Sequence, residues 1–569
     1  MPQKEDENHL EQRIKDYEDK YIANASKKQK EEWSKIVDIV SKRNFKSKKP
    51  LVLIATPEIT HLPENMGNLA HIIKTGDGGG LADISASLVA ELDRQGVNVH
   101  ATFPDYKDIF LKNAKINREE YEKLKKERGE TRVHPIQHGL FSSAERVYGD
   151  GSQHLDKIEL RRANAFMGGI INLFPYLKSI NDNVIIHCND WMTGLIPAAA
   201  KVNGMQSLMT FHNIFTWKQW PLGLQKHGID ISEFWNYLYL RDSPNRYGGS
   251  FEGNYTNNEV DFMASGLFAA DYINTVSPTF LKEIVYDPSM GRGIIPDSMR
   301  GIIQDRYSKG SAVGILNAPS ETADPRKDDS LVQKYWYEDC SDEGVIDIKE
   351  GKKRNKAYFQ KCTGLEQNPD SPLFFWPSRI AYPQKGFELL LHNVPYLMDR
   401  FRNMQIAVVA CGDMNLIHWV EKYQNDFRGR VSYKPFLKEL NQMGKAAADF
   451  IIIPSLYEPC GIPQVEAPRY GTLPIVRRTG GLADTVEHLS PNGLSGNGFV
   501  FNDYIKEGLW YGIDQAIGFY NQDEQFKLGV QKRIMKESFE KFNIEKTAGE
   551  YIKVYEKILS FKDPNLRLR

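Results

Sequence analysis

Residues Pro454 to Val486 read PSLYEPCGIPQVEAPRYGTLPIVRRTGGLADTV. The apolar run Phe450–Ile453 before them predicts a buried parallel strand, which Pro454 and Ser455 end. Glu458, Cys460 and Gly461 then fall at that strand's carboxyl end. Gln464–Tyr470 is read as a helix, Leu473–Val476 as a second strand, and Leu482–His488 as a helix with Gly480 and Gly481 just before it. Open α/β sheets bind ligands outside the carboxyl ends of their strands. Free N–H groups at a helix start attract anions. A carboxylate at one strand end and a glycine pair at the next helix start suit a ligand that is part hydroxyl and part phosphate. A second cluster follows the strand predicted over Leu373–Trp376. Arg379 and Lys385 stand six apart around its strand-to-helix turn. Both reach one pyrophosphate there, Arg by forked hydrogen bonds and Lys as a point charge. A third is the glycine-rich turn Gly76–Gly80. It opens a helix read over Leu81–Gln95, between strands Leu51–Ala55 and Val97–Phe103, in a βαβ unit suited to phosphate.

These clusters need α/β elements to hold them. Val184–Ile186 reads as a buried strand ending in His187-Cys188-Asn189-Asp190-Trp191, and Thr193–Val202 as the helix after it. Ser207–Phe211 is a strand ending at His212-Asn213, Ile406–Ala410 and Val431–Phe436 are further strands, and residues 351–365 form a helix. Phe539–Leu559 reads as one mixed amphipathic helix. At 569 residues the chain is too long for one ordinary core, so two domains are expected. The polar, charged stretch 325–372 is taken as the boundary. Residues 1–48 are a charged helical extension, 49–325 a first domain, 326–540 a second, and 541–569 a terminal helix.

Composition excludes several classes. The formal net charge of −1 gives no general case for nucleic-acid binding. No segment approaches the ~20 apolar residues of a membrane span, and the first residues lack the order of a signal peptide. The five cysteines are scattered, with no CxxC pair, so neither a zinc site nor a disulfide framework is indicated. A reducing cytoplasm is the simplest inference.

The long string around Glu458 resembles the donor-site segment of bacterial glycogen synthases and plant starch synthases, a glucosyltransferase family of the GT-B fold. Other segments resemble family motifs in the same order. They are KTGDGGGLAD at Lys74, three residues longer than the family's loop, HCNDW at Asp190, His212-Asn213, TVSPT from Thr275, GILN ending at Asn317, and SRIAYPQKG containing Arg379 and Lys385. Ala318-Pro319-Ser320 replaces the family's Gly-Ile-Asp, and Ile59–Ile73 is longer than the usual connection. The insertion is read as an added lid or a reshaped acceptor cleft.

The resemblance implies two Rossmann-like domains facing across a deep cleft, with the last helix crossing back to the first. It implies transfer of glucose from a nucleotide-glucose, ADP-glucose favoured, to the non-reducing end of an α-1,4-glucan with retention. Arg379, Lys385 and Glu458, with His212 and Asp190, are implied as the catalytic set. Lys74, Gly79, Gly80, Asn317, Phe436, Cys460, Gly461, Gly480 and Gly481 are implied for the donor, Phe436 lying against the base. For Phe436 core packing stands as an equal reading. No cofactor and no metal is expected. A transferase using UDP-glucose or another donor or acceptor, and a catalytically weak glucan-binding module, remain as alternatives.

Overall fold

The computed structural model describes residues 49–73, 80–126, 131–144, 147, 153–240, 251–256, 258–291, 293–339, 341–564 and 566–568. The expected helical extension over 1–48, and Lys74 and Gly79, lie outside the described residues. The chain forms two compact units. Of the described residues, those within 49–274, 287–313 and 548–568 make up one, and those within 275–286 and 314–547 the other. Packing therefore assigns 314–325 and the detached stretch 275–286 to the second unit, whereas the sequence reading drew one boundary at 325.

In the first unit a seven-stranded sheet has the order β3-β2-β1-β4-β5-β6-β7. The strands are β1 (Leu51–Ala55), β2 (Asn98–Pro104), β3 (Val133–Ile136), β4 (Val184–Asn189), β5 (Gln206–Phe211), β6 (Tyr272–Thr275) and β7 (Ala312–Gly314). Every residue of β1 is buried, as an apolar run covered on both faces should be. β1 pairs in parallel with β2 and β4, so Ala55 lies level with Thr102 and Cys188. β4 pairs in parallel with β5, Asn189 opposite Thr210. The loops carrying Glu58, Asp190 and His212 consequently leave one carboxyl edge. The insertion Ile59–Ile73 forms two short turns, Glu64–Met66 and Ala70–Ile72. Ile59, Met66 and Ile72 are buried. This segment is thus part of the core and not a detached flap.

The second unit holds a six-stranded parallel sheet ordered β10-β9-β8-β11-β12-β13. These are β8 (Leu373–Trp376), β9 (Gln405–Ala410), β10 (Val431–Pro435), β11 (Phe450–Ile453), β12 (Leu473–Arg477) and β13 (Phe499–Phe501). Side chains alternate between faces. Phe374 and Trp376 enter one core with Leu390 and Ile452, while Phe375 enters the other with Ala407, Ile451 and Val476.

The single terminal helix read over Phe539–Leu559 is instead two, Glu524–Lys541 and Ile544–Ser560. Phe542 turns extended at φ −117° and ψ 94°. Its carbonyl accepts the Arg469 guanidinium at 2.8 Å in place of a helical partner. Apolar periodicity runs through the break and so conceals it. From Ala548 onward the last helix belongs to the first unit. Among the described residues no helix is long and apolar enough to cross a membrane.

Candidate active site

At the carboxyl edge of the second sheet, Lys385 donates to both oxygens of Glu458, at 2.9 and 2.7 Å. The Ser455 hydroxyl adds a bond to Oε2 at 3.0 Å. The Lys385 and Glu458 side chains are only 15% and 5% exposed. Local backbone explains the meeting. Gly386, at φ 70°, caps the helix Phe387–Arg400 and lies against the carbonyl of Pro454, where a Cβ would collide. Leu456 N–H donates to Gln384 O at 2.9 Å. The loop after β8 is thereby held on the loop after β11. Arg379 is exposed on the same turn and has no hydrogen bond or ion pair with another described residue. Its guanidinium is available to a ligand.

Asn317 carries a buried side-chain oxygen with no hydrogen-bond partner among the described residues. Such a group is costly to bury and suits a ligand hydroxyl. Its backbone N–H meets the Cys460 thiol, whose pKa burial pushes up to about 12. Cys460 is therefore an inert thiol at neutral pH. Gly461, at φ 75°, turns the chain where a Cβ would strike Gln464. Phe436 is 53% exposed just beyond β10, so the core-packing reading fails.

On the first unit, Asp190 sits at φ 58° and ψ 178°, a region almost reserved for glycine. Its carboxylate accepts the His212 N–H at 2.7 Å. Burial nevertheless raises its pKa to about 7, against the lowering by the backbone N–H groups of His212 and Asn213. Asn189 donates its amide to Ala55 O at 3.1 Å, leaving Oδ1 to accept His212 Nε2–H at 2.9 Å. Burial lowers His212 to about 4. It is a neutral donor with a fixed tautomer, not a cation. Glu58 is buried, and Gly80 is the exposed first residue of the helix Gly80–Arg94.

The glycine pair differs from expectation. Gly480 and Gly481 begin the helix Gly480–Thr485 themselves. Gly480 N–H donates to Glu283 Oε1 at 2.9 Å, and Gly481 N–H to the Glu458 carbonyl at 3.0 Å. Both amides are taken by protein acceptors, so the expected open anion cradle is corrected to a brace. Sequence reasoning missed Glu283 because nearly two hundred residues separate the partners. It also missed an aromatic cluster after His212. Trp191 packs on Phe215 and Trp217 with ring centroids 5.9 and 6.0 Å apart, and Phe215 is 51% exposed. The Phe215-x-Trp217 spacing was its visible signal. Among the described residues no group of three or more His, Cys, Asp or Glu side chains could hold a metal ion.

Two Rossmann-like parallel-sheet units, each with polar groups on its carboxyl edge, are the architecture of the GT-B glycosyltransferases. Residues 52–295 match the family model described as starch synthase catalytic domain, and 364–532 match glycosyl transferases group 1. The glycogen synthase of Clostridioides difficile is 30% identical over 505 residues, covering 84% of this chain and 96% of that one. Glycogen synthase 2 of Geobacter metallireducens is 28% identical over 511 residues, covering 86% and 96%. Among solved structures, the catalytic domain of starch synthase IV from Arabidopsis thaliana, bound to ADP and acarbose, superposes with a TM-score of 0.66 at 22% identity, covering 90% of this chain and 100% of that one. The chain belongs to the glycogen and starch synthase family and is a glycosyltransferase.

Proposed function

We propose that the protein transfers glucose from ADP-glucose to the non-reducing end of an α-1,4-glucan with retention of configuration. The observation that carries this reading is the buried Lys385–Glu458 pair beside the exposed Arg379. The leaving group is a nucleoside diphosphate that gains negative charge as the C1–O bond breaks. Lys385 and Arg379 are fixed cations that stabilise it, as preorganised charges do best in a partly dry site. Glu458, held at both oxygens, orients sugar hydroxyls. With Lys385 and Ser455 on it, Glu458 is poorly suited to attack carbon, and the protonated Cys460 thiol is equally unsuited. In the scheme that the family resemblance implies, the acceptor hydroxyl attacks C1 on the face that the diphosphate leaves. The new C1–O bond forms, the C1–phosphate bond breaks, and the acceptor proton passes to a diphosphate oxygen. The fixed cations make a divalent metal unnecessary. This differs from the two-carboxylate scheme of retaining glycosidases.

Phe436 offers an open ring face to the base. Asp190 and His212 recognise sugar hydroxyls on the first unit. Phe215 presents a ring of the kind that packs on a pyranose face. ADP is favoured over UDP because the Arabidopsis starch synthase IV structure holds ADP and acarbose. The deciding experiment is turnover with ADP-glucose and UDP-glucose separately, with glycogen or maltooligosaccharide as acceptor and chelator present. ADP release with α-linked chain extension is expected. Faster turnover with UDP-glucose would overturn the donor assignment. A requirement for added Mn2+ would overturn the metal-free scheme, and no transfer from either donor would overturn the reaction itself.

A further inference from the structure

Two helices of the second unit cap each other. The first is Pro278–Tyr286, which lies in the stretch detached from the rest of that unit, and the second is Gly480–Thr485. Asp484 takes the start of the first helix. Its carboxylate accepts Thr279 N–H at 3.0 Å, the Thr279 hydroxyl at 2.6 Å, and the Ser277 hydroxyl. Glu283 takes the start of the second. Its carboxylate accepts Gly480 N–H at 2.9 Å and the Thr479 hydroxyl at 3.2 Å. Each helix thus supplies an acidic side chain to donors that the other helix leaves unpaired.

The second cap reaches the candidate active site. One residue on from Gly480, the Gly481 N–H holds the Glu458 carbonyl at 3.0 Å. A Cβ at Gly480 would run into that same carbonyl, and one at Gly481 into the carbonyl of Cys460. The turn Glu458–Gly461 therefore rests directly on the glycine step. Nothing in that step has a side chain with which to anchor itself. Thr479 and the Gly480 amide provide the hold, and both end on Glu283.

We propose that Glu283 is a positioning residue for glucosyl transfer. It touches no reacting atom. By fixing Thr479 and Gly480 it sets where the Glu458–Gly461 turn lies, and hence where Glu458 and Lys385 meet the donor. The kinetic part of this inference rests on the reading of Glu458 and Lys385 given above, while the mechanical part does not.

The test uses the full chain. Glu283→Ala, Glu283→Asp and Glu283→Gln are compared by steady-state kinetics and by hydrogen–deuterium exchange of peptides covering 456–485. In Glu283→Ala, kcat is expected to fall about ten- to a hundredfold, since small misplacements of reacting groups cost this much. The KM for glucan should not move. Exchange should rise at 458–461 and 480–481. Glu283→Gln keeps an oxygen for Gly480 N–H, so it should restore kcat to within a few fold of wild type. Glu283→Asp keeps the charge but is one methylene short, so it should fall below Gln. If Glu283→Ala does not fold, the order of Asp and Gln decides the matter. Wild-type kcat in Glu283→Asp, or a loss of kcat with unchanged exchange at 458–461, overturns the proposal. A wild-type protein that transfers no glucose would refute the reaction while the exchange experiment still tested the brace.

Discussion

Asp190 carries two independent marks of a functional side chain, a backbone conformation almost reserved for glycine and a pKa raised by burial to about 7. Strain of this kind persists where the surroundings over-determine it. The pKa makes a signed prediction. A folded-state value above that of the unfolded chain means that the folded state holds a proton the unfolded state has lost. The contribution of Asp190 to stability is thus full below about pH 4 and is lost as pH rises towards 7. Asp190→Asn cannot ionise, so its melting temperature relative to wild type should climb between pH 5 and 8. A constant difference across that range would refute the assignment. Lys385 and Glu458 argue the complementary case of a buried charge with its partner present. Lys385→Ala strands the Glu458 carboxylate at 5% exposure, which should cost about 3–5 kcal/mol in urea unfolding. Adding Glu458→Gln should recover part of that loss, because the stranded charge is then gone. Activity should not return in the double variant, since removing one preorganised charge from a developing anion costs on the order of a hundred- to a thousandfold in kcat.

Elements decide whether those side chains meet, and one glycine decides most. Gly386 combines φ 70° with close contact to Pro454 O. Gly386→Ala must therefore move the chain beside Lys385. A loss of about 1–3 kcal/mol is expected, together with a fall in kcat larger than the stability change explains at an assay temperature well below unfolding. Unchanged kcat in the folded variant would mean that the loop tolerates the shift. Strands of this protein were readily legible because both faces of each sheet are covered. Leu51–Ala55, Leu373–Trp376 and Phe450–Ile453 are apolar throughout, and turn residues mark their ends. Strand carboxyl ends point to Glu458, Arg379 and Lys385 from the residues themselves, whereas Asp190 and His212 stand out only through the family resemblance, since a lone His at a strand end is more often structural. What spacing could not show was contact between distant segments. Glu283 takes the Gly480 amide and the Glu458 carbonyl takes the Gly481 amide, the two that looked open to an anion, and the Arg469 bond to Phe542 ends a helix whose periodicity continues. The insertion at Ile59–Ile73 reads as an added lid or a reshaped acceptor cleft because it is longer than the family's usual connection; length says nothing of burial, and Ile59, Met66 and Ile72 are buried.

Across the whole molecule, the last helix completes the first unit through a buried chain of polar groups whose direction can be worked out. Burial lowers His187 to about 3, so it is neutral and offers one donor and one acceptor. Thr210 gives its hydroxyl proton to Asn274 Oδ1 and so accepts from His187 Nε2–H at 2.6 Å. That leaves His187 Nδ1 to accept the Tyr555 hydroxyl at 2.7 Å, while Asn274 Nδ2 donates to the Tyr551 oxygen at 3.2 Å. Every member has its partner, a condition under which a buried network specifies one arrangement. Tyr555→Phe keeps the ring and removes one proton donor, leaving His187 Nδ1 unsatisfied, at a cost of about 1–3 kcal/mol. Two units in one chain need not unfold together. The loss should therefore appear in the first unit, to which Tyr555 and His187 both belong, in residues 49–274, 287–313 and 548–568. Urea unfolding followed by hydrogen exchange should show first-unit peptides opening at lower denaturant in Tyr555→Phe, with second-unit peptides unshifted. An equal shift of both sets would show that the units unfold as one cooperative body. No shift in either would mean that the Tyr555 hydroxyl contributes nothing, and the directional chain would have to be redrawn from His187 outward.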